Sequence, residues 1–184
     1  MTKNDLINTL ERSPVIAAVR DDNFSDAMSS SAEVIFYLKA NLVTIKEKIA
    51  EALNCGKMIF VHIDLAEGIG KDRTGIAFLA DCGVTGIIST RSQLINYAKE
   101  AGLLTVQRFF ALDSQGISNI RDIVESADII EIMPGVIQKV IERFAYSGAD
   151  VIAGGLIETK DEVMMALKSG TVAVSTGKKE LWEI

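Results

Sequence analysis

The sequence is poor in proline, cysteine, histidine and aromatic residues, and these shortages exclude several classes of protein. Its 184 residues include two prolines, two cysteines and one histidine, and 6% of them are aromatic. Two cysteines are too few for a small domain held together by disulfides. They also lack the spacing of a zinc site, so we expect neither a metal nor another cofactor.

Long hydrophobic runs and an excess of positive charge are absent as well. No apolar run approaches the roughly 18 residues of a membrane helix, and the N-terminal stretch MTKNDLINTLERS lacks the apolar centre of a secretion signal. We therefore expect a cytoplasmic protein that makes no membrane contact. A net charge of −6 argues against wholesale electrostatic binding of nucleic acid.

Hydrophobic residues make up 48% of the chain, and the length fits a single domain over residues 1–184. Short runs rich in Val and Ile recur along the sequence. Several are almost continuously apolar, which is typical of parallel strands covered on both faces. The runs predict eight strands, at 15–19, 34–38, 58–63, 86–90, 104–109, 129–133, 151–155 and 171–176.

The segments between the strands show helical spacing and carry signals for helix ends. A glycine before a strand is expected to end a helix, because glycine adopts positive φ without a steric penalty; these positions are Gly56, Gly83, Gly102, Gly148 and Gly170. Capping-box spacing at Thr90–Gln93 and Thr159–Glu162 predicts two helix starts. Residues 20–33 are predicted to hold a short or broken helix.

Eight parallel strands alternating with helices favour a closed α/β barrel of the (β/α)8, TIM type. The competing doubly wound sheet usually has five or six strands, so the number of strands decides between them. Successive strand starts lie closer together than the roughly 30 residues of a βαβ unit, so some crossover helices must be shortened. An extra N-terminal helix at 3–11 is predicted to close the bottom of the barrel with Leu6, Ile7 and Leu10.

Polar residues at the C-terminal ends of barrel strands face one shared mouth. Four cations are predicted there, Arg20, Lys39, Arg91 and Arg108. In a chain of net charge −6, their gathering around one opening implies an anionic ligand.

The last two strands end in small residues that suit a phosphate group. Gly154-Gly155 ends the seventh strand and Ser175-Thr176-Gly177 ends the eighth, where phosphate sites recur in such barrels. Glycines let backbone N–H groups approach an anion, and hydroxyl groups add donors. The alternative is that both motifs are tight turns that close the barrel.

Three further ionisable residues lie in apolar strands. His62 and Asp64 fall on the same side of the third strand by alternation, facing either the barrel interior or the helices. Facing inward, they would hold ligand hydroxyls or move a proton; facing outward, His62 would be structural. Glu131 on the sixth strand is expected to pair with an arginine rather than to act as a general base.

Several motifs resemble the bacterial glycerol-3-phosphate-responsive antiterminators, the family of glycerol uptake operon antiterminator regulatory proteins. The resemblance spans Pro14 to Trp182, and the motifs occur in the family's order: VHIDLAEGIGKDRTGIAFL, GIISTR, TVQRFFALDSQGI, EIMPGVI, VIAGGLI and AVSTGKKELW. It implies a cytoplasmic barrel protein that binds glycerol 3-phosphate and acts on leader mRNA, so that transcription of glycerol-use genes passes a terminator.

The resemblance also implies roles for individual residues. Gly154, Gly155, Ser175, Thr176 and Gly177 would hold the phosphate. Around the glycerol part the mouth would be lined by His62, Asp64, Arg108 and Glu131. Arg20 and Arg91 are expected to line the same mouth from their positions at strand ends. Two positions depart from the family pattern, Lys39 in place of a threonine-glycine turn and Gly177 in place of a second serine.

Two functions follow as hypotheses. The first is a ligand-gated, RNA-binding regulator without catalysis. The alternative is a TIM-barrel enzyme acting on a small phosphorylated sugar or triose, with His62, Asp64 and Glu131 as acid and base. No recognised RNA-binding motif is present, and the sequence leaves open whether a basic patch forms within one chain or through a homo-oligomer. Loops 65–74 and 111–117 are predicted to differ between the free and ligand-bound states.

Overall fold

The computed structural model describes residues 1–111 and 127–184. These ranges contain the strands β1 Val15–Val19, β2 Val34–Tyr37, β3 Met58–His62, β4 Gly86–Ser89, β5 Leu104–Phe110, β6 Ile129–Met133, β7 Val151–Gly154 and β8 Ala173–Thr176. The α-helices are α1 Lys3–Arg12, α2 Phe24–Ser29, α3 Ile45–Asn54, α4 Arg73–Asp81, α5 Ser92–Glu100, α6 Gln138–Ala145 and α7 Lys160–Lys168. Short 3₁₀ turns lie at Asp21–Asn23, Ile63–Leu65 and Lys179–Leu181.

The eight strands form a closed parallel barrel in chain order. Each strand pairs with its neighbours in sequence, and β1 closes the ring against β8, with Val15 opposite Val174. Closure leaves no unpaired sheet edge. The predicted (β/α)8 architecture is therefore confirmed.

Alternate residues of each strand point into the barrel and fill its lower part with apolar side chains. Phe36 and Phe60 meet there edge to face, with ring centroids 5.7 Å apart. Gly86 provides the space for Phe60, because a Cβ on Gly86 would lie 2.5 Å from that ring. Leu6 and Leu10 of α1 join the same buried cluster, so α1 closes the bottom of the barrel as predicted.

The opposite faces of the strands pack against the helices, whose ends follow the predicted signals. All five predicted helix-ending glycines have positive φ, between 72° and 97°, and α2 is only six residues long. The capping box at Thr159 and Glu162 is present. The one predicted at Thr90 is wrong, since α5 starts at Ser92 and Thr90 bonds to Asp64 instead.

The C-terminal segment is anchored to the end of β8. Trp182 is buried and donates its indole N–H to the carbonyl oxygen of Thr176 over 2.8 Å. This contact holds the loop after β8 against the barrel rim. None of the helices in the described parts of the chain is long and apolar enough to cross a membrane.

Candidate functional site

A polar layer lies inside the barrel at the C-terminal ends of the strands. His62, Arg108, Glu131 and Ser175 occupy inward positions on β3, β5, β6 and β8, two residues beyond apolar interior positions such as Phe60 and Val106. Their relative exposures are 4%, 8%, 0% and 4%. Burying such polar groups costs free energy unless they form hydrogen bonds or ion pairs.

Glu131 receives two of those partners directly. Its Oε2 lies 2.6 Å from Nε of Arg108, and its Oε1 accepts a 2.6 Å hydrogen bond from the Ser175 hydroxyl. The expected pairing of Glu131 with an arginine is confirmed. Gly154 makes room for this cluster, because a Cβ there would lie 2.6 Å from Oγ of Ser175 and clash with the Glu131 carboxylate.

Arg108 connects this buried cluster to a cavity. Its Nε is used by Glu131, whereas its two terminal nitrogens form no hydrogen bond with any residue in the described ranges. A guanidinium group that pairs with a carboxylate through Nε can still bind an anion through its two terminal nitrogens.

The cavity measures about 420 Å³ and lies at the barrel mouth on the β5 to β8 side. Its wall is formed by residues of the strands and of the loops after β7 and β8. It is lined by Ala18, Leu38, Arg108, Glu131, Met133, Gly155, Leu156, Ile157, Glu158, Ser175, Thr176, Gly177 and Lys178.

The residues predicted to hold phosphate are arranged around this cavity in two ways. Gly155, Ser175, Thr176 and Gly177 line it, whereas Gly154 lies behind them against Glu131. The Thr176 hydroxyl donates to the carbonyl oxygen of Ile157 over 2.7 Å, and that of Ser175 donates to Glu131. The hydroxyl groups thus fix the walls, which leaves Arg108, Lys178 and the main chain of the two loops to contact an anion.

Gly155 contributes backbone geometry to the same wall. Its φ is +75°, and the following Leu156 has φ +61°, in the left-handed region that non-glycine residues rarely adopt. The turn directs the chain over the cavity and into α7. Lys178 on the facing loop pairs with Glu158, with Nζ and Oε1 3.3 Å apart.

A second polar cluster lies on the β3 to β4 side of the mouth, around Asp64. Its carboxylate accepts hydrogen bonds from the Ser89 hydroxyl and from the N–H and hydroxyl of Thr90, at 2.7–3.1 Å. Nε of Arg91 lies 3.1 Å from Oδ1. Asp64 is thus fully occupied, and it belongs to a 3₁₀ turn rather than to the third strand, which ends at His62.

His62 lies between the two clusters and points into the barrel, which answers the question left open by the sequence. Its Nε2 is 3.6 Å from Oδ2 of Asp64, and neither ring nitrogen forms a hydrogen bond within the described residues. Burial, together with the nearby positive charge of Arg108, lowers the pKa of His62 to about 4. The ring is therefore neutral at pH 7, with one donor and one acceptor available.

The four cations predicted at the mouth do not converge on one cavity. Arg108 alone of the four lines it. Arg91 pairs with Asp64, and Arg20 is an exposed residue whose backbone N–H donates to Asn23. Lys39 points away and pairs with Glu67 over 2.9 Å, because the inward positions near the end of β2 are Phe36 and Leu38.

Some cavity residues were not among the predicted site residues. Met133 is the last residue of β6, whereas Leu156, Ile157 and Glu158 come from the loop after β7, whose path the strand pattern does not fix. Lys178 had a usable signal, since it directly follows the Ser175-Thr176-Gly177 motif.

Comparison with known proteins agrees with this architecture. A family model described as "Glycerol-3-phosphate responsive antiterminator" matches residues 15–182. The chain belongs to this family. Its relatives include YgcP of Escherichia coli (strain K12), which is 34% identical over 97% of this chain and 96% of its own length.

Two solved structures extend the family assignment to the fold. The glycerol uptake operon antiterminator regulatory protein of Listeria monocytogenes is 31% identical, with a TM-score of 0.85 over 91% of this chain and 94% of that one. A glycerol uptake operon antiterminator-related protein of Thermotoga maritima is 32% identical, with a TM-score of 0.82 over 94% and 99% of the two chains. This member of the antiterminator family therefore shares its barrel with proteins named for glycerol operon regulation.

Proposed function

We propose that this chain is a ligand-gated transcription antiterminator. It binds glycerol 3-phosphate in the cavity at the barrel mouth and acts in the cytoplasm on the leader mRNA of glycerol-use genes. The proposed binding of glycerol 3-phosphate rests on one observation, the cavity itself. The guanidinium of Arg108 lies at its base, and the main chain of Gly155 and Gly177 forms part of its wall. Family membership supports the RNA half.

The arrangement suits a small phosphorylated polyol. The phosphate would lie against the loops after β7 and β8, within reach of Arg108 and Lys178. The glycerol hydroxyls would point toward the polar layer, where neutral His62 offers one donor and one acceptor and Glu131 offers acceptor lone pairs. A cavity of about 420 Å³ is of the size range that small-ligand sites occupy.

Two features of the ionisable groups favour a regulator over an enzyme. Both carboxylate oxygens of Glu131 and of Asp64 accept hydrogen bonds, and none of the eight strands in the described ranges carries a lysine suited to Schiff-base chemistry. Incubation with glycerol 3-phosphate or dihydroxyacetone phosphate, followed by product analysis, tests the enzyme alternative. Turnover that disappears in His62→Ala would contradict the proposed function.

Isothermal titration calorimetry tests the ligand half. We expect saturable binding of glycerol 3-phosphate, with glycerol and inorganic phosphate each binding at least about tenfold more weakly, because each fills only part of the site. Absence of heat at millimolar glycerol 3-phosphate would overturn it.

The RNA half is tested by a mobility-shift assay with leader RNA at low salt, with and without glycerol 3-phosphate. The ligand must prefer the RNA-competent state, or it shifts no population. Loop 65–74 remains predicted to change on binding, whereas most of the predicted loop 111–117 lies outside the described residues. If hydrogen exchange of loop 65–74 is the same with and without glycerol 3-phosphate, this loop does not couple ligand binding to RNA binding.

A further inference from the structure

The outer face of α6 and α7 carries positive charges that lack acidic partners. Most lysines and arginines elsewhere form ion pairs, as Lys3 does with Asp150 and Arg12 with Glu33. Within the described ranges, the cations whose side chains form no ion pair, hydrogen bond or ring contact are Arg20, Lys99, Lys139, Arg143, Lys160 and Lys168. The last four lie on α6 and α7.

Helical spacing puts these cations on one exposed surface. Lys139 and Arg143 of α6, and Tyr146 just after it, follow each other at i, i+4 and i+7, on the side away from the buried Ile141. On α7, the exposed residues Lys160, Met164 and Lys168 are spaced at i, i+4 and i+8. We call the surface formed by these six side chains the α6–α7 face.

The two helices are neighbours, so their stripes lie side by side. Gly170, just beyond α7, lies so close to the end of α6 that a Cβ on it would be 3.0 Å from Cβ of Ala145. Tyr146 and Lys168 are therefore at the same end of the face. Each stripe extends about 10–12 Å along its helix, the length of roughly three stacked nucleotides.

Acidic residues on these helices are mostly engaged. Glu142 accepts a 2.8 Å hydrogen bond from Gln138, and Glu162 accepts from the N–H of Thr159 over 2.9 Å in the capping box. Asp161 lies in the first turn of α7, where the helix dipole favours a negative charge. In a chain of net charge −6, these two helices differ from the rest of the surface because their four unpaired cations outnumber their three carboxylates.

Tyr146 adds a group that recognises bases rather than charge. It is 85% exposed, the most exposed aromatic side chain in the described ranges. A tyrosine ring on the surface exposes a flat apolar face to water at a cost, and unpaired bases stack on such rings.

We propose that the α6–α7 face is the surface that contacts RNA, with Lys139, Arg143, Lys160 and Lys168 against phosphates and Tyr146 stacked on an unpaired base. This inference rests on the proposed function, since it names the surface through which that function operates. Cations together with an exposed ring fit single-stranded RNA or a loop better than a continuous duplex.

The position of the face also connects it to the cavity. The loops that precede α6 and α7 are the ones that follow β6 and β7, and they are joined where the N–H of Gly135 donates to the carbonyl oxygens of Gly154 and Gly155 at 2.6 and 3.1 Å. Glu158, two residues before α7, lines the cavity. A ligand that moves these loops moves the first turns of both helices, and with them Lys139 and Lys160.

The test is fluorescence anisotropy with leader RNA of the glycerol uptake operon from the organism that carries this chain, in saturating glycerol 3-phosphate. The variant Lys139→Gln/Arg143→Gln/Lys160→Gln/Lys168→Gln should bind about 100-fold more weakly, with a salt slope lowered by about 0.7 per lost phosphate contact. Tyr146→Ala should lose about tenfold and Tyr146→Phe little, because the ring is kept.

A matched control is available on another helix. Lys99 and Lys168 are both exposed cations in the last turn of their helices, so Lys99→Gln should leave RNA affinity unchanged while Lys168→Gln lowers it several-fold. Calorimetry of the fourfold variant should show wild-type affinity for glycerol 3-phosphate.

The outcomes separate this inference from the proposed function. Leader RNA bound equally by the wild type and the fourfold variant would overturn the α6–α7 face and leave the antiterminator function standing. A wild type that binds no leader RNA in either state would overturn both. Wild-type binding to phosphatidylserine vesicles, without binding to RNA, would make the face a membrane surface and refute the RNA assignment.

Discussion

Each side of the barrel mouth pairs an arginine with a carboxylate, but the two pairs are built differently. On the β5 to β8 side, Arg108 and Glu131 are buried together at the base of a cavity, and the terminal nitrogens of Arg108 make no hydrogen bond with the described residues. On the β3 to β4 side, Asp64 is surrounded by Ser89, Thr90 and Arg91, and the Arg91 side chain is 53% exposed.

The difference separates a group available for binding from a group used for structure. A carboxylate that already holds four donors fixes the loop after β4 and has little left for a ligand. A buried arginine that uses only Nε in its ion pair keeps its terminal N–H groups available to a ligand in the cavity. Side-chain type alone does not distinguish the two; depth and remaining hydrogen-bonding capacity do.

The largest expected effect comes from Arg108→Met. It leaves the fully buried Glu131 carboxyl group without its counter-ion, which should lower the free energy of unfolding by about 3–5 kcal/mol and reduce glycerol 3-phosphate affinity by at least about 100-fold. Urea unfolding and calorimetry measure the two effects. Arg108→Lys keeps a charge and should fold, with binding still impaired because the planar fork is lost.

Arg91→Met is the matched control for the other side. Its exposed ion pair should contribute at most about 1 kcal/mol, with ligand affinity unchanged. Equal losses in the two arginine variants would remove the distinction between the two sides.

The next effect tests how tightly the buried cluster is packed. In Gly154→Ala, the added methyl group clashes with Glu131 and Ser175 and should cost about 1–3 kcal/mol of unfolding free energy. Gly177→Ala, at the rim of the same cavity, has its nearest neighbour at 3.5 Å, the carbonyl oxygen of Ala18, and should stay within about 0.5 kcal/mol of wild type. Thermal and urea unfolding compare them; a fully stable Gly154→Ala would contradict the packing described.

Because His62 is buried, we expect the stability of the fold to depend on pH. Because burial lowers the pKa of His62 to about 4 from its ordinary 6.5, the unfolded chain binds more protons than the folded one between these values. Above pH 6.5 the neutral ring therefore makes its full contribution to the free energy of unfolding. This contribution falls as the pH drops toward 4, with a slope of at most about 1.4 kcal/mol per pH unit.

The His62 prediction is checked by urea unfolding between about pH 7 and pH 5. His62→Gln should show a flatter dependence than wild type over this range. Identical slopes in the two proteins would mean that His62 is not held neutral by its surroundings.

The smallest effect is expected for Asp64→Asn. Replacing one carboxylate oxygen by an amide nitrogen removes an acceptor for Ser89 or Thr90, which should cost about 1 kcal/mol of unfolding free energy. Glycerol 3-phosphate affinity, measured by calorimetry, should stay within about twofold. A loss of tenfold or more would place the ligand on the Asp64 side.

Most of the framework could be predicted from the sequence because its signals are local. Apolar runs revealed all eight strands, and the glycines that end helices have the positive φ that only glycine adopts freely. The pairing of Glu131 with an arginine followed from the cost of burying a lone charge.

Errors arose where one residue of register decides which way a side chain points. Because Phe36 of β2 and Leu38 just after it face inward, Lys39 points outward to Glu67, and a shift by one position would have reversed this. Thr90 has capping-box spacing, but its hydroxyl bonds to Asp64 from another loop. The sequence contains no local sign of that long-range contact, nor of the loop paths that bring Glu158 to the cavity.

The most direct test of the account is a crystal structure of the protein grown with glycerol 3-phosphate. We predict phosphate density against the main chain of Gly155 and Gly177, within hydrogen-bonding distance of the Arg108 guanidinium, with the glycerol hydroxyls toward His62. Ligand density on the Asp64 and Arg91 cluster, with the cavity on the β5 to β8 side containing only solvent, would contradict it.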